Sequence, residues 1–411
     1  MTVLAPEILA RLDALAAITA EPGKLTRMFL TPEHARANAL VSGWMTQAGM
    51  SARIDAIGNV VGRYEGLAPG APALLLGSHL DTIRDAGRYD GMLGVVAAIA
   101  CVGDLHRRGV RLPFAIEVVG FGDEEGVRFG ATLLGSRALA GTFDPALLDR
   151  RDDAGISMRA ALTSFGLDPD AIATAARRRE DFLGYLEFHI EQGPVLEQQG
   201  LAVGRVTSIS GATRLKAMIT GEAGHAGTVP MGSRRDALAA AAACVLAVER
   251  LCSGIPGLVG TVGRIEAGPG AVNVIPGSAG FTLDIRAPED GLRHATLAAL
   301  EAEFAAIAVT RSVALRLEPF HDSPAAPCAP WLMAQIDAAI AAEGITPFAL
   351  ASGAGHDGLA IQAIADIAMI FLRCAGGISH NPAEAISLGD AEIGARVLLR
   401  VIEDFKERAA A

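Results

Sequence analysis

Apolar runs and helical periods alternate along the first half of the chain. Residues 1–50 repeat at helical spacing, and residues 54–64 read as extended chain with a turn at Gly58-Asn59. Residues 73–77 form a short apolar strand running into Ser78-His79. Residues 93–106 read as a helix, and residues 114–121 as a second apolar strand running into Gly122-Asp123-Glu124-Glu125-Gly126. Short all-apolar strands separated by helices predict an α/β fold with a mostly parallel sheet covered on both faces. Ligands in such sheets sit beyond the carboxyl ends of the strands. The polar clusters at 78–91 and 122–126 both follow strands, where that rule places a site.

The rhythm changes over residues 211–322. Residues 214–220 alternate like a half-buried strand, and 234–251 form a long Ala-rich helix. Strands at 258–266 and 280–287, a helix at 288–306 and an alternating stretch at 312–318 complete a small α+β unit of the ferredoxin-like kind. It interrupts the larger domain, which is expected over residues 1–210 and resumes over 323–411, with strands at 348–351 and 367–373 and a closing helix at 389–406.

Composition narrows the classes of function. The 411 residues exceed one comfortable core, which fits two domains. A net charge of −11 argues against nucleic acid, whose phosphates need clustered Lys and Arg. The five cysteines are scattered and show no C-x-x-C, as in a reduced, cytoplasmic protein. Residues 1–20 carry Glu7 and Asp13 at helical spacing, without the basic start and apolar run of a signal peptide. No apolar run approaches a membrane span, so no membrane partner is expected.

The chemistry-bearing residues cluster near strand ends. In His79-Leu80-Asp81, positions i and i+2 share a face of an extended segment, so Asp81 is placed to orient His79. Asp90 precedes Gly91, and Glu124-Glu125 could divide metal binding from proton transfer. His189 ends an apolar stretch, and His380 lies in a turn-rich loop. Each has an ordinary alternative: a capping Asp, a solvated acidic loop, a core His, a solvent-facing His. Together His79, Asp90, Glu125, His189 and His380 make a mixed His/carboxylate set suited to Zn²⁺, Mn²⁺ or Co²⁺. In the inserted unit, His225, Asn273 and Arg286 could hold an anionic substrate, or be a loop His, a turn Asn and a surface Arg. His356 and Asp357, in a Gly-rich segment with no Gly-Lys-Ser/Thr, border this set with no assigned role.

The motifs GSHLDTIRDAGRYDG (77–91), GFGDEEGVRF (120–129), FHIEQGPVLE (188–197), GEAGHAGTVPM (221–231), NVIPG (273–277), LDIRAP (283–288), SGAGHDG (352–358) and ISHNPAE (378–384) resemble the amidase, hydantoinase and carbamoylase family within the dinuclear zinc aminoacylase and carboxypeptidase superfamily. The resemblance implies two divalent metals per subunit, zinc or manganese. His79, Asp90 and His189 would hold one, and Glu125 and His380 the other, with Asp90 bridging. It implies Glu124 as general base and then acid, Asp81 orienting His79, and His225 stabilising an oxyanion from a dimer partner's smaller domain. Gln192, Asn273 and Arg286 would bind substrate, the last two at its carboxylate. The implied fold is a catalytic domain with an inserted dimerisation or lid domain, the two closing together on a substrate. The implied reaction is hydrolysis of a ureido C–N bond in a small carboxylate. The stretches 81–91 and 126–144 are most similar to members that cleave allantoate, although Gly130-Ala131 departs from their pattern. N-carbamoyl-L-amino acids or N-carbamoyl-β-alanine are the alternative substrates, and a metal-free binding protein on the same fold the remote one.

Overall fold

The computed structural model describes residues 3–408. It divides into two compact units. The larger comprises the chain up to Thr207, Cys328–Leu350 and the chain from Gly355 onward. The smaller comprises Ser208–Pro327 with Ala351–Ala354.

Four adjacent parallel strands form the heart of the larger unit, in the order Ala115–Phe121, Ala73–His79, Phe182–Ile190, Ile367–Leu372. They are buried almost throughout, as strands covered on both faces must be. The hairpin Ser51–Ile54 and Val60–Tyr64 adds antiparallel strands on one side, and Val203–Ile209 pairs antiparallel to Ile367–Leu372 on the other. The sheet is therefore mixed. The hairpin turn follows from Asp55, whose Oδ1 accepts from the amides of Ile57, Gly58 and Asn59.

The helix Met92–Arg107 packs against the parallel strands and is buried along nearly its whole length. Gly94 lets it approach closely, because a Cβ there would lie 2.2 Å from the Phe188 carbonyl oxygen. The closing helix Leu388–Glu403 is capped by Ser387, whose side chain accepts from the Asp390 amide.

The smaller unit is a four-stranded antiparallel sheet in the order Ala314–Ser323, Gly211–Thr220, Ser278–Ala287, Val259–Gly268. Its helices are Ala237–Cys252 and Asp290–Thr310. With the helices placed between the strands as they are, this is the ferredoxin-like arrangement. Leu215, Ala217, Ile219, Phe281, Leu283 and Ile285 join Ala240, Ala241, Cys244, Leu300 and Phe304 in one core cluster. Strict alternation of buried and open positions along Gly211–Thr220 fixes its register. Among the described residues no helix is long and apolar enough to cross a membrane.

Candidate metal centre and active site

The carboxyl ends of the four parallel strands deliver the predicted ligands to one place. His79 closes its strand, His189 lies one residue before the end of its own, and Glu124-Glu125 follow Ala115–Phe121. Asp90 sits just before the helix Met92–Arg107, and His380 in the loop after Ile367–Leu372. Donor atoms of His79, Asp90 and His189 lie within 4.8 Å of one another, as do those of Asp90, Glu125 and His380, and those of His79, Glu124 and Glu125.

The imidazole tautomers follow from hydrogen bonding. His79 Nδ1 is 3.0 Å from the Asp81 carbonyl oxygen, and His189 Nδ1 is 2.9 Å from that of Ile190. A carbonyl only accepts, so both Nδ1 atoms carry hydrogen, and in the neutral rings both Nε2 atoms present lone pairs. Both Nε2 atoms face Asp90 Oδ1, at 3.3 Å from His79 and 3.2 Å from His189, and His189 Nε2 also accepts the Gly91 amide at 3.1 Å. His380 Nε2 lies 3.5 Å from Asp90 Oδ2 and 3.4 Å from Glu125 Oε1. Without a metal, protons on the imidazoles balance this convergence; with neutral rings it needs a cation between nitrogen and carboxylate. The donor set therefore fits two divalent cations with Asp90 shared.

Electrostatics agree. Burial is the largest influence on Glu124 and raises its carboxyl well above the ordinary range; His79 offsets part of this, while Glu125, Asp357 and Asp81 add to it. Glu125 is pushed up to about 8, by burial first, with His79 opposing and Asp90 and Asp81 adding. Burial also opposes ionisation of Asp90, but His189 and His79 outweigh it and hold that carboxyl well below the usual range. A site that crowds carboxylates out of water needs cations to complete it.

The backbone is shaped to this end. Gly91 has φ +74°, and a Cβ there would come within 2.4 Å of the His79 ring. Asp123, Gln192 and His380 all adopt left-handed φ, at 61°, 59° and 55°. Such strain in non-glycine residues gathers where side chains must be aimed.

The chain matches the model of peptidase family M20/M25/M40 over residues 75–404. It is 42% identical over 393 residues to the N-carbamoyl-L-amino acid amidohydrolase of Geobacillus stearothermophilus, covering 95% of this chain and 96% of the relative. It is 39% identical over 443 residues to a probable allantoate deiminase of Oryza sativa subsp. japonica, covering 100% and 90%. The crystal structure of an amidase of the hydantoinase/carbamoylase family from Burkholderia multivorans matches with a TM-score of 0.91 at 32% identity, over 97% of each chain. The chain belongs to the M20 hydantoinase/carbamoylase family. Like that family's amidases, it is a metal-dependent amidohydrolase acting on C–N bonds other than peptide bonds.

For this M20 amidohydrolase the structure refines several expected roles. The contact of Asp81 with His79 Nδ1 is through its backbone carbonyl; its carboxylate Oδ1 is 3.7 Å from the ring. That carboxylate instead accepts the amides of Glu124 at 3.0 Å and Glu125 at 3.2 Å, fixing the general-base candidate beside a ligand. Gln192 Nε2 donates to Asp90 Oδ2 at 2.8 Å, and its Oε1 is buried with no hydrogen-bond partner among the described residues. In the smaller unit, the strand pair Gly224–His225 and Val274–Ile275 brings His225 next to Asn273, both exposed. His225 Nδ1 accepts from the Gly227 amide at 3.0 Å, which leaves Nε2–H as an outward donor. Arg286 donates to Asp284 and to the Gly353 carbonyl.

Other residues carry the site without having been assigned from sequence. His356 is buried edge-on against His189, with ring centroids 4.6 Å apart. Buried Glu187 accepts from Ser78 and Tyr185 beneath the strand ends. Glu384 and Ser379 adjoin Asp90. The hint in the sequence was, for His356, Ser379 and Glu384, membership of the 352–358 and 378–384 motifs; Glu187 lies outside them.

Proposed function

We propose that the protein hydrolyses the carbamoyl group of N-carbamoyl-L-amino acids, releasing the amino acid, ammonia and carbon dioxide. What carries this reading is a buried general-base candidate, Glu124, beside a two-cation donor set, in a chain 42% identical to an N-carbamoyl-L-amino acid amidohydrolase. Allantoate, the substrate expected from the sequence motifs, becomes the second reading, favoured by 39% identity to an allantoate deiminase over the whole chain. Both substrates present a ureido group and a carboxylate, so the residue roles are shared.

His79, Asp90 and His189 would hold one cation and Asp90, Glu125 and His380 the other, zinc or manganese. When bound, the cations would make water acidic at neutral pH and polarise the ureido carbonyl. Glu124 takes the proton of the attacking water as its oxygen bonds to the ureido carbon. The bond from that carbon to the amino-acid nitrogen breaks, and Glu124 returns the proton to the departing nitrogen. Carbamic acid is left, which falls to ammonia and carbon dioxide. His225 Nε2–H is assigned to the developing oxyanion, and Gln192 Oε1 to a ureido N–H. Asn273 and Arg286 are assigned to the substrate carboxylate. A homodimer belongs to the same reading, and sedimentation as a monomer at micromolar concentration would remove it.

The test is ammonia release by manganese- or zinc-loaded protein from N-carbamoyl-L-amino acids, allantoate and N-carbamoyl-β-alanine side by side. Turnover led by the carbamoyl amino acids supports the first reading. Turnover of allantoate alone replaces it with the second.

A further inference from the structure

The two halves of the metal centre are built differently. His79 and His189 belong to buried, paired strands. His380 belongs to a loop, its side chain 50% exposed and its φ at +55°. Something other than the sheet must hold that loop against Asp90.

Glu384 makes the connection. Its buried carboxylate Oε1 accepts the Tyr89 amide at 2.7 Å and the Asp90 amide at 3.1 Å. Its Oε2 lies 3.1 Å from Ser379 Oγ, and that hydroxyl lies 2.8 Å from Asp90 Oδ2. The turn that aims Glu384 is itself fixed: its amide donates to the Asn381 carbonyl at 3.0 Å, and Asn381 Oδ1 accepts the Ala383 amide at 2.9 Å. Gly87 leaves room, since a Cβ there would lie 2.3 Å from the Glu384 carboxyl carbon. One side chain thus binds the backbone before the shared ligand and the residue before the loop ligand, 295 and five positions from its own.

We propose that Glu384 is a positioning residue that ties Tyr89 and Asp90 to the Ser379–His380 turn and so assembles the Asp90, Glu125, His380 subsite. The inference rests on reading the cluster as a two-cation centre. Removing the carboxylate leaves the Tyr89 and Asp90 amides without this acceptor and leaves the turn tied to Asp90 through side chains alone, among them the Ser379 hydroxyl. The subsite that depends on the turn weakens, and the strand-borne subsite of His79 and His189 does not. Glutamine keeps an oxygen for the amides and offers an N–H to Ser379 Oγ, so it preserves most of the clamp.

The experiment is calorimetric titration of metal-free protein with MnCl₂, with the melting temperature of each metal-free variant measured alongside. The parent should show two binding events. Glu384→Ala should leave one at parental affinity and weaken the other about 10- to 100-fold, as loss of a group that orients ligands does. Glu384→Gln should recover most of that loss, and Ser379→Ala should weaken the same event by less. Two events at parental affinity in Glu384→Ala would overturn the proposal. So would equal weakening of both events with a matching fall in melting temperature in the alanine and glutamine variants, since that is general loss of stability. A parent that takes up no Mn²⁺ would sink the two-cation reading itself, and the proposal with it.

Discussion

Each unit holds a cluster of charged side chains, and the two are balanced in different ways. In the smaller unit, Asp284 accepts from Arg286 Nε at 3.1 Å and Nη2 at 3.0 Å, and from Arg214 Nε at 3.0 Å. Two guanidinium groups satisfy one carboxylate. Burial opposes ionisation of Asp284, but Arg286 and Arg214 outweigh it and hold its carboxyl below the ordinary value of 3.8. In the larger unit, Asp81, Asp90, Glu124 and Glu125 crowd together around imidazoles whose Nε2 atoms face Asp90. The first cluster brings its own positive charge. The second is balanced by protons on its imidazoles or, on the proposed reading, by imported cations.

That contrast breaks most completely if the imported charge is not needed. Dialysis against a chelator should abolish turnover, and added Mn²⁺ or Zn²⁺ should restore it, because the donor set around Asp90 is completed by divalent cations. Full turnover in protein shown by elemental analysis to be metal-free would refute the contrast. The next effect is chemical. Glu124→Gln should lower kcat by about 10²- to 10⁴-fold, the usual worth of a general acid–base, with metal content unchanged. Parental turnover would move the base elsewhere. His225→Ala should lower kcat by about 10²-fold, the low end for losing one oxyanion donor, with metal content again unchanged.

The same contrast predicts opposite responses to pH. In the metal-free protein, Glu125 has a folded value of about 8 against an ordinary 4.5, so the unfolded chain ionises first and stability falls as pH rises from about 4.5 to about 8. His79 acts in the same sense. Burial lowers its affinity for a proton, yet Asp90, Glu124 and Asp81 raise it well above 6.5. Its contribution is complete below 6.5 and is lost as pH rises through the folded value. Asp284 works the other way: its folded value is depressed, so its contribution is present above about 3.8 and is lost as pH falls through the folded value. Melting temperatures of chelated protein should therefore decline from pH 5 to pH 8, and saturating Mn²⁺ should remove or reverse the decline by favouring ionised ligands. A decline unaffected by Mn²⁺ would mean that the groups responsible lie outside the centre.

The site was legible in the sequence where strand ends announce themselves. Apolar runs stop at His79, before Asp123-Glu124-Glu125 and near His189, and parallel strands present their carboxyl ends together. The expected α/β sheet has its parallel strands at the centre, while hydrophobic pattern cannot show that the hairpin at Ser51–Ile54 and Val60–Tyr64, or the strand Val203–Ile209, joins antiparallel. Asp81 was read as a side-chain partner of His79 from spacing alone. A pattern of residue types cannot distinguish its carboxylate from its carbonyl, and the structure gives the carbonyl to His79 and the carboxylate to two amides. Glu384 stayed hidden for a similar reason. Its partners are backbone amides 295 residues away, and nothing in local sequence encodes contacts at that distance.

The smallest predicted effect comes from the self-satisfied cluster and measures how far its balance limits it. Arg286 already donates to Asp284 and to the Gly353 carbonyl, so its charge is partly spent before it meets the carboxylate that the proposed function assigns to it. Arg286→Lys keeps the charge and loses the planar fork. If Arg286 binds substrate and transition state equally, KM should rise about tenfold, the equivalent of one charge-assisted hydrogen bond, with kcat little changed. A fall in kcat with constant KM would instead mean that Arg286 acts in the transition state. The smaller unit would then take part in catalysis as well as in holding the substrate.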